Sequence, residues 1–244
     1  MTFRRVPFGF AAATASLALT ALLAGCASPA SNFYTLSPTG DASRASAATP
    51  AATTAGNPSM LIELAPVEVP PQVAKAQFVV QTDANQVRVL EQERWASLPG
   101  DEIRRALSGD LTQALNTIDV YGSPHPAGVP VYRVSVNVQR FESWPGSHAL
   151  VDAVWSVRSL DSQTVMTCRS TLDEPVSGGY DALVMGHRRA IAALSDAIAS
   201  GVRALAAAPR LSVSGTPGGA KPAAQKAKPA GVACPQVLAG AAGG

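Results

Sequence analysis

Among the side chains able to do chemistry, the three histidines and three cysteines come first. His125, His148 and His187 lie far apart in the chain, and none has a second His, Cys or acid at metal-ligand spacing. The adjacent acids Asp101-Glu102 and Asp173-Glu174 do not make an acid/base pair, because neighbours on a helix do not face each other. There is no Gly-x-Ser-x-Gly elbow, no Gly-Lys-Ser/Thr phosphate loop and no Gly-x-Gly-x-x-Gly opening a helix. The sequence therefore predicts no catalytic residue, no metal ligand and no cofactor, and the chain reads as a non-enzyme.

The cysteines are more informative. Cys26 follows Leu23-Ala24-Gly25 at the foot of an apolar stretch that itself follows Arg4 and Arg5. A basic start, an apolar middle and small residues at the end mark a secretion signal. The order Leu-Ala-Gly-Cys resembles the lipobox at which bacterial lipoproteins are cut and then acylated on the cysteine. A plain transmembrane anchor is the alternative, but Pro7, Gly9, Thr14, Ser16 and Thr20 dilute the apolar run. Two or more acyl chains hold a protein firmly on a membrane, where one does not. In an oxidising compartment Cys168 and Cys234 then form either a bridge tying the tail to the domain or two free thiols, and both readings stay open.

These residues need elements to position them. Residues 1–25 read as the signal peptide, and 26–36 as a lipidated N-terminus with a short strand at Phe33-Tyr34-Thr35-Leu36. Should that run join a sheet, the leash back to Cys26 is about six residues, or roughly 20 Å extended. Residues 37–58, rich in Ala, Thr, Ser and Pro, read as a flexible linker, because they bury too little apolar surface to offset ordering. Residues 59–207 form the domain, and 208–244 an unstructured Ala/Pro/Gly/Lys tail. Arg4 and Arg5 are lost with the signal, so the remaining basic residues balance the acids and no nucleic-acid partner is implied. Aromatics are 5% of the chain, so the core must be mainly aliphatic.

Within the domain, Leu61–Val67 is β-prone, and Phe78–Val80 and Val87–Leu90 are strands about an Asp83-Ala84-Asn85 turn. Glu91–Arg94 are polar, and Trp95 stands out beside them. Pro99 suits a first helical turn, with Asp101 and Glu102 where the helix dipole favours negative charge. Ile103, Leu107, Leu111 and Leu115 give that helix one apolar face, which must pack on a sheet. Tyr132, Val134, Val136 and Val138 alternate with polar residues and open an antiparallel meander over 130–173, turning at Trp144-Pro145-Gly146. A second helix runs from Tyr180 to Ala207, with His187, Ile191, Leu194, Ile198, Val202 and Leu205 on one side and Pro209 beyond its end. The expected class is α/β: a single domain with a mixed, largely antiparallel sheet packed by two main amphipathic helices. Trp95 and Trp144 are candidate partner contacts, since Trp is enriched among residues that carry binding energy. A core role for Trp95 is the alternative, and Trp155 is expected to be buried.

A lipobox followed by Phe-Tyr-Thr-Leu, then Ile62-Glu63-Leu64-Ala65-Pro66-Val67 with Pro70-Pro71, Gln77-Phe78-Val79-Val80 and Arg94-Trp95-Ala96 before a helix resembles the ABC-type transport auxiliary lipoprotein family. Tyr180-Asp181-Ala182-Leu183-Val184 before the last helix fits as well. The likeness spans residues 26–207 apart from 37–58; the long tail departs from it and lends Cys234 no support. It implies an outer-membrane lipoprotein on the periplasmic face of a Gram-negative cell. Its partner would be a substrate-binding protein of the mammalian cell entry (MCE) class with an inner-membrane permease, in systems moving lipid or other apolar molecules. A homo-oligomeric ring is also implied. Two rival classes are a periplasmic lipid carrier and an assembly lipoprotein for cell wall or secretion machinery.

Overall fold

The computed structural model describes residues 30–37, 58–208 and 233–235. The signal peptide, Cys26, nearly all of the 37–58 linker and most of the tail lie outside the described residues. Seven strands and two helices are present among them: β1 Asn32–Tyr34, β2 Leu61–Leu64, β3 Gln77–Gln81, β4 Val87–Trp95, α1 Pro99–Leu115, β5 Val131–Trp144, β6 His148–Ser159, β7 Val165–Pro175 and α2 Tyr180–Ala207. They form the expected single α/β domain, with the strands divided between two sheets. The smaller has the order β1-β4-β3 and the larger β2-β5-β6-β7.

Alternation builds the larger sheet. Val134, Val136 and Val138 of β5 are buried while Arg133 and Ser135 are exposed or partly so, as period-two patterning requires. Between Val138 and Arg140 the register with β6 shifts by a bulge. An extra residue moves later side chains to the other face. Phe141 and Ser143 consequently turn into the core, which the alternation up to Gln139 does not foretell. β6 and β7 complete the meander, and β2 adds to β5 in parallel register, Leu61 opposite Val131.

The 28-residue α2 covers this sheet and also packs on α1. By length and composition α2 could cross a membrane, yet its Leu183, Ile191, Leu194, Ile198 and Val202 are buried in the domain core. Small residues let it come close: a Cβ on Gly186 would stand 2.6 Å from Val176 Cγ1 and 2.9 Å from the Ala149 methyl. Gly186 thus sets the spacing between helix and sheet at this point. α1 meets the expectation of a helix begun by Pro99, but its packing is against α2 and β2 more than against a broad sheet face.

In the smaller sheet β4 runs beyond its apolar start through the polar Glu91–Arg94, because β1 lies beside them in parallel and supplies polar partners. Ser31 Oγ donates to Gln92 Oε1 at 2.9 Å, and Asn32 Nδ2 to Glu93 Oε1 at 3.0 Å. The few aromatics gather where the two sheets meet. Phe78 stacks on Trp95 at 4.6 Å, Tyr34 meets Phe78 edge-on at 5.8 Å, and Phe141 stacks on His187 at 4.0 Å.

Gly186→Leu should lower stability by about 1–3 kcal/mol through overpacking. Gly109→Ala, on the open side of α1 with nothing near its would-be Cβ, should raise it by up to about 1 kcal/mol. Thermal melts of the two variants check both signs.

Candidate functional site

The N-terminal strand is fastened to the rest of the domain at more points than three paired residues require. Glu102, in the first turn of α1, is fully buried. Its Oε2 accepts hydrogen bonds from Thr35 Oγ1 at 2.7 Å and from the Leu36 backbone N–H at 2.8 Å. Its Oε1 accepts from the Ser97 hydroxyl, and the exposed Arg105 guanidinium reaches it at 3.3 Å. Burial alone would raise the carboxyl's pKa, but the bonds from Ser97, Thr35 and Leu36 and the charge of Arg105 outweigh it and hold the group below the usual carboxylate range. From α2, Arg188 donates to Thr35 O at 2.8 Å and to Ser37 O at 3.1 Å. The Ala96 N–H donates to Tyr34 O at 2.7 Å, and Leu36 itself is buried in the main core. Tyr34 Oη donates to Glu93 Oε2 at 2.6 Å; burial and the Glu93 carboxylate both raise the phenol's pKa. Residues 31–37 are therefore joined to β4, α1 and α2 together.

Among the sequence-selected residues, Trp95 requires correction as a partner contact. It is 3% exposed and stacked on Phe78, because the extended β4 brings it to the inner end of the strand. Trp144 is half-buried at the β5–β6 turn, its Nε1–H donating to Glu142 Oε2 at 3.1 Å and its ring stacked on His148 at 5.5 Å. Trp155 is buried and donates to Ser170 Oγ at 3.0 Å. Cys168 on β7 and Cys234 in the short described piece of tail are bridged, with Cα atoms 5.7 Å apart. Cys26 lies outside the described residues. Two groupings were not anticipated: Glu102 with Thr35 and Arg188, and a buried pair formed by Ser143 Oγ and His187 Nε2 at 2.8 Å. The first looked like a helix-dipole acid and nothing more; the second depends on the β5 bulge.

The Ser143–His187 pair has the composition of a nucleophile and its base, but not the access. Ser143 is 2% and His187 0% exposed, with Phe141 and Trp95 against the imidazole. Burial pushes the histidine down to about 3, so the ring is neutral. Its Nδ1 has no hydrogen-bond partner, and no carboxylate orients it. No group of three or more His, Cys, Asp or Glu suited to a metal occurs among the described residues. A concavity of about 460 Å³ opens on the outer side of the larger sheet, where Ser135, Asn137, Ser156 and Thr167 present polar groups beside Pro66 and Val154.

Two acid responses follow. Glu102→Ala strands the Leu36 N–H and the Thr35 hydroxyl, at a cost of about 1–3 kcal/mol, and should expose the 31–37 segment to protease. Because the folded carboxyl titrates below its unfolded value, its contribution is complete above about pH 4.3 and is lost as the pH falls through the lower, folded value. Glu102→Gln should flatten that part of the acid-denaturation curve. For His187 the unfolded chain takes up a proton near pH 6.5 that the native chain refuses until about 3. Stability should therefore drop by about 1.4 kcal/mol per pH unit through that window, and urea titrations of Ser143→Ala/His187→Leu should lack the slope.

Residues 34–199 match the profile of the family described as ABC-type transport auxiliary lipoprotein component. No curated protein matches the chain. Among solved structures, the crystal structure of an uncharacterized protein aligns at TM-score 0.55 and 18% identity, over 71% of this chain and 99% of that one. A Xanthomonas campestris protein of family DUF330 aligns at TM-score 0.49 and 15% identity, over 58% and 83% of the two chains. The PelC dodecamer from Paraburkholderia phytofirmans aligns at TM-score 0.30 and 13% identity, over 56% and 87%.

Proposed function

The chain belongs to the ABC-type transport auxiliary lipoprotein family, and from that premise we propose that it is a non-catalytic docking component, acylated at Cys26 and held on the periplasmic face of the outer membrane. The observation that supports this reading best is the fastening of residues 31–37. Thr35 and Leu36 sit on Glu102, and Arg188 holds the carbonyls of Thr35 and Ser37. Only about six residues separate Cys26 from β1, a reach of roughly 20 Å. A carrier that leaves the membrane gains nothing from so short a connection, whereas a docking module gains position. Attachment to a surface raises effective concentration, so weak contacts suffice to hold a partner.

The partner in this reading is an MCE-class substrate-binding protein that spans from an inner-membrane permease, in a system moving phospholipid or another apolar solute. Several copies forming a ring would present a symmetric collar to a tunnel-forming partner. Of the two tryptophans considered for contact, Trp144, half-buried at the β5–β6 turn, is the one that stays available.

Metabolic labelling with palmitate should mark the wild type and not Cys26→Ala, which should be released from the membrane fraction. Purification of the acylated protein from native membranes after mild cross-linking should recover an MCE-type protein and its permease. Recovery of a cell-wall synthase or a secretin in their place would overturn the transport reading.

A further inference from the structure

The outward edge of β7 carries backbone groups that the sheet does not use. β7 ends the larger sheet, with β6 on one side and no strand on the other among the described residues. At the two ends of its pairing with β6, Ser159 N–H donates to Thr164 O and Val176 N–H donates to Ser147 O. Backbone direction alternates along an antiparallel strand, so the even-numbered residues bond to β6. From Thr167 to Pro175 the odd-numbered residues point their carbonyls, and all but Pro175 their N–H groups, away from it. Both ends of this edge are occupied. Cys234 Sγ, held by the bridge to Cys168, stands 3.3 Å from Thr167 O. Arg189 Nη2 donates to Pro175 O at 2.9 Å, and its Nε to Glu174 Oε2 at 2.9 Å. Arg169, Thr171 and Asp173 are left open between them.

That open stretch is its own complement. Its three side chains are exposed on the outer side of the sheet, since Cys168, Ser170 and Leu172 alternate with them into the core. An antiparallel copy of β7 laid alongside, with Thr171 opposite Thr171, puts Arg169 opposite Asp173 on either side of the centre. Residues facing each other in this phase exchange both main-chain bonds, so every open N–H and C=O finds a partner. The charges agree as well. Arg169 bonds to Asp152 through Nε and Nη2, yet its side chain stays 65% exposed. Asp173 is exposed and in no ion pair among the described residues. Opposite charges and paired threonines across neighbouring strands are both favourable. Centring the pair on Arg169 or Asp173 sets like charges face to face, and intermediate registers draw in Thr167 or Pro175, whose carbonyls are taken.

We infer that the Arg169–Asp173 edge of β7 docks a second copy of this chain, strand to strand, about a two-fold axis at Thr171. Main-chain bonds at the exposed edge supply the attraction, and Arg169 against Asp173 fixes the register. The Cys168–Cys234 bridge and Arg189 are the stops that confine pairing to this stretch and keep the rest of β7 from serving as an open template. So short an edge makes a weak contact in dilute solution. Copies sharing one membrane meet at a much higher effective concentration. The contact is isologous and closes at two copies, unlike the head-to-tail contacts of a ring. It goes beyond the docking role proposed above and does not depend on which transport protein is docked.

The test is cysteine cross-linking of the full chain in the membranes of the cells that produce it. Thr171→Cys sets two thiols across the axis at a separation a disulfide spans. Mild oxidation should yield linked dimers of Thr171→Cys several-fold above those of Gln113→Cys, exposed on the last turn of α1. The wild type sets the background from its own cysteines. Adding Asp173→Arg, which meets Arg169 with a like charge, should cut the Thr171→Cys yield several-fold and leave the melting temperature unchanged. Should Asp173→Arg fail to fold, Asp173→Asn takes its place, with a smaller loss expected. A Thr171→Cys yield no higher than that of Gln113→Cys, or one unmoved by the charge change, refutes the inference. Neither result alters which transport protein is recovered with the acylated chain, so the two readings fail separately.

Discussion

A buried carboxylate that binds the start of the chain is the constraint on which the rest of this structure turns. Glu102 pays for its desolvation with bonds from Ser97, Thr35, Leu36 and Arg105, and in doing so fixes the β1 segment against the first turn of α1. Such a group is costly to leave unpaired, so the segment cannot peel away without exposing or stranding a charge. Arg188 repeats the arrangement from α2 by holding carbonyls of the same segment. Whatever is attached just upstream is thereby coupled mechanically to both helices and both sheets.

The core explains how so short a segment can be held so firmly. Leu36 enters a single cluster shared by both sheets and both helices. The aromatic residues, scarce overall, stand in a line from Tyr34 through Phe78, Trp95 and Phe141 to His187, which runs from the N-terminal strand into α2. The bulge in β5 places Phe141 and Ser143 on that line, and Gly186 and Gly201 of α2 set the spacing. The result is a compact support with two open sheet faces. One belongs to the smaller sheet beside the N-terminal segment; the other, on the larger sheet, is concave.

Some of this was legible in the residues and some was not, for physical reasons. The alternation in Tyr132–Val138 and the heptad-like spacing in Tyr180–Ala207 are local signals, and the meander and α2 follow from them. The parallel pairs β1/β4 and β2/β5 join residues some sixty to seventy apart, and no local pattern announces them. Glu91–Arg94 carry no apolar alternation because their partners come from β1, so their neighbours alone leave Trp95 readable as core or as contact. Glu102 looked like an ordinary helix-start acid, because nothing in its neighbours reveals that Thr35 and Leu36 come to it. The bulge after Val138 reverses a side-chain phase that patterning would carry straight on. Family likeness reached further than periodicity, since several short motifs in order identify a fold that no one of them specifies.

The central claim is that the N-terminal segment belongs to the cooperative unit of the fold and is not a loose strap. Native-state amide hydrogen exchange tests it most directly, through the Leu36 N–H that bonds to Glu102. The account predicts that Leu36 exchanges only through global opening, with the same free energy as Val134 and Val157 in the centre of the larger sheet. Exchange of Leu36 by local fraying, orders of magnitude faster than those two, would contradict it.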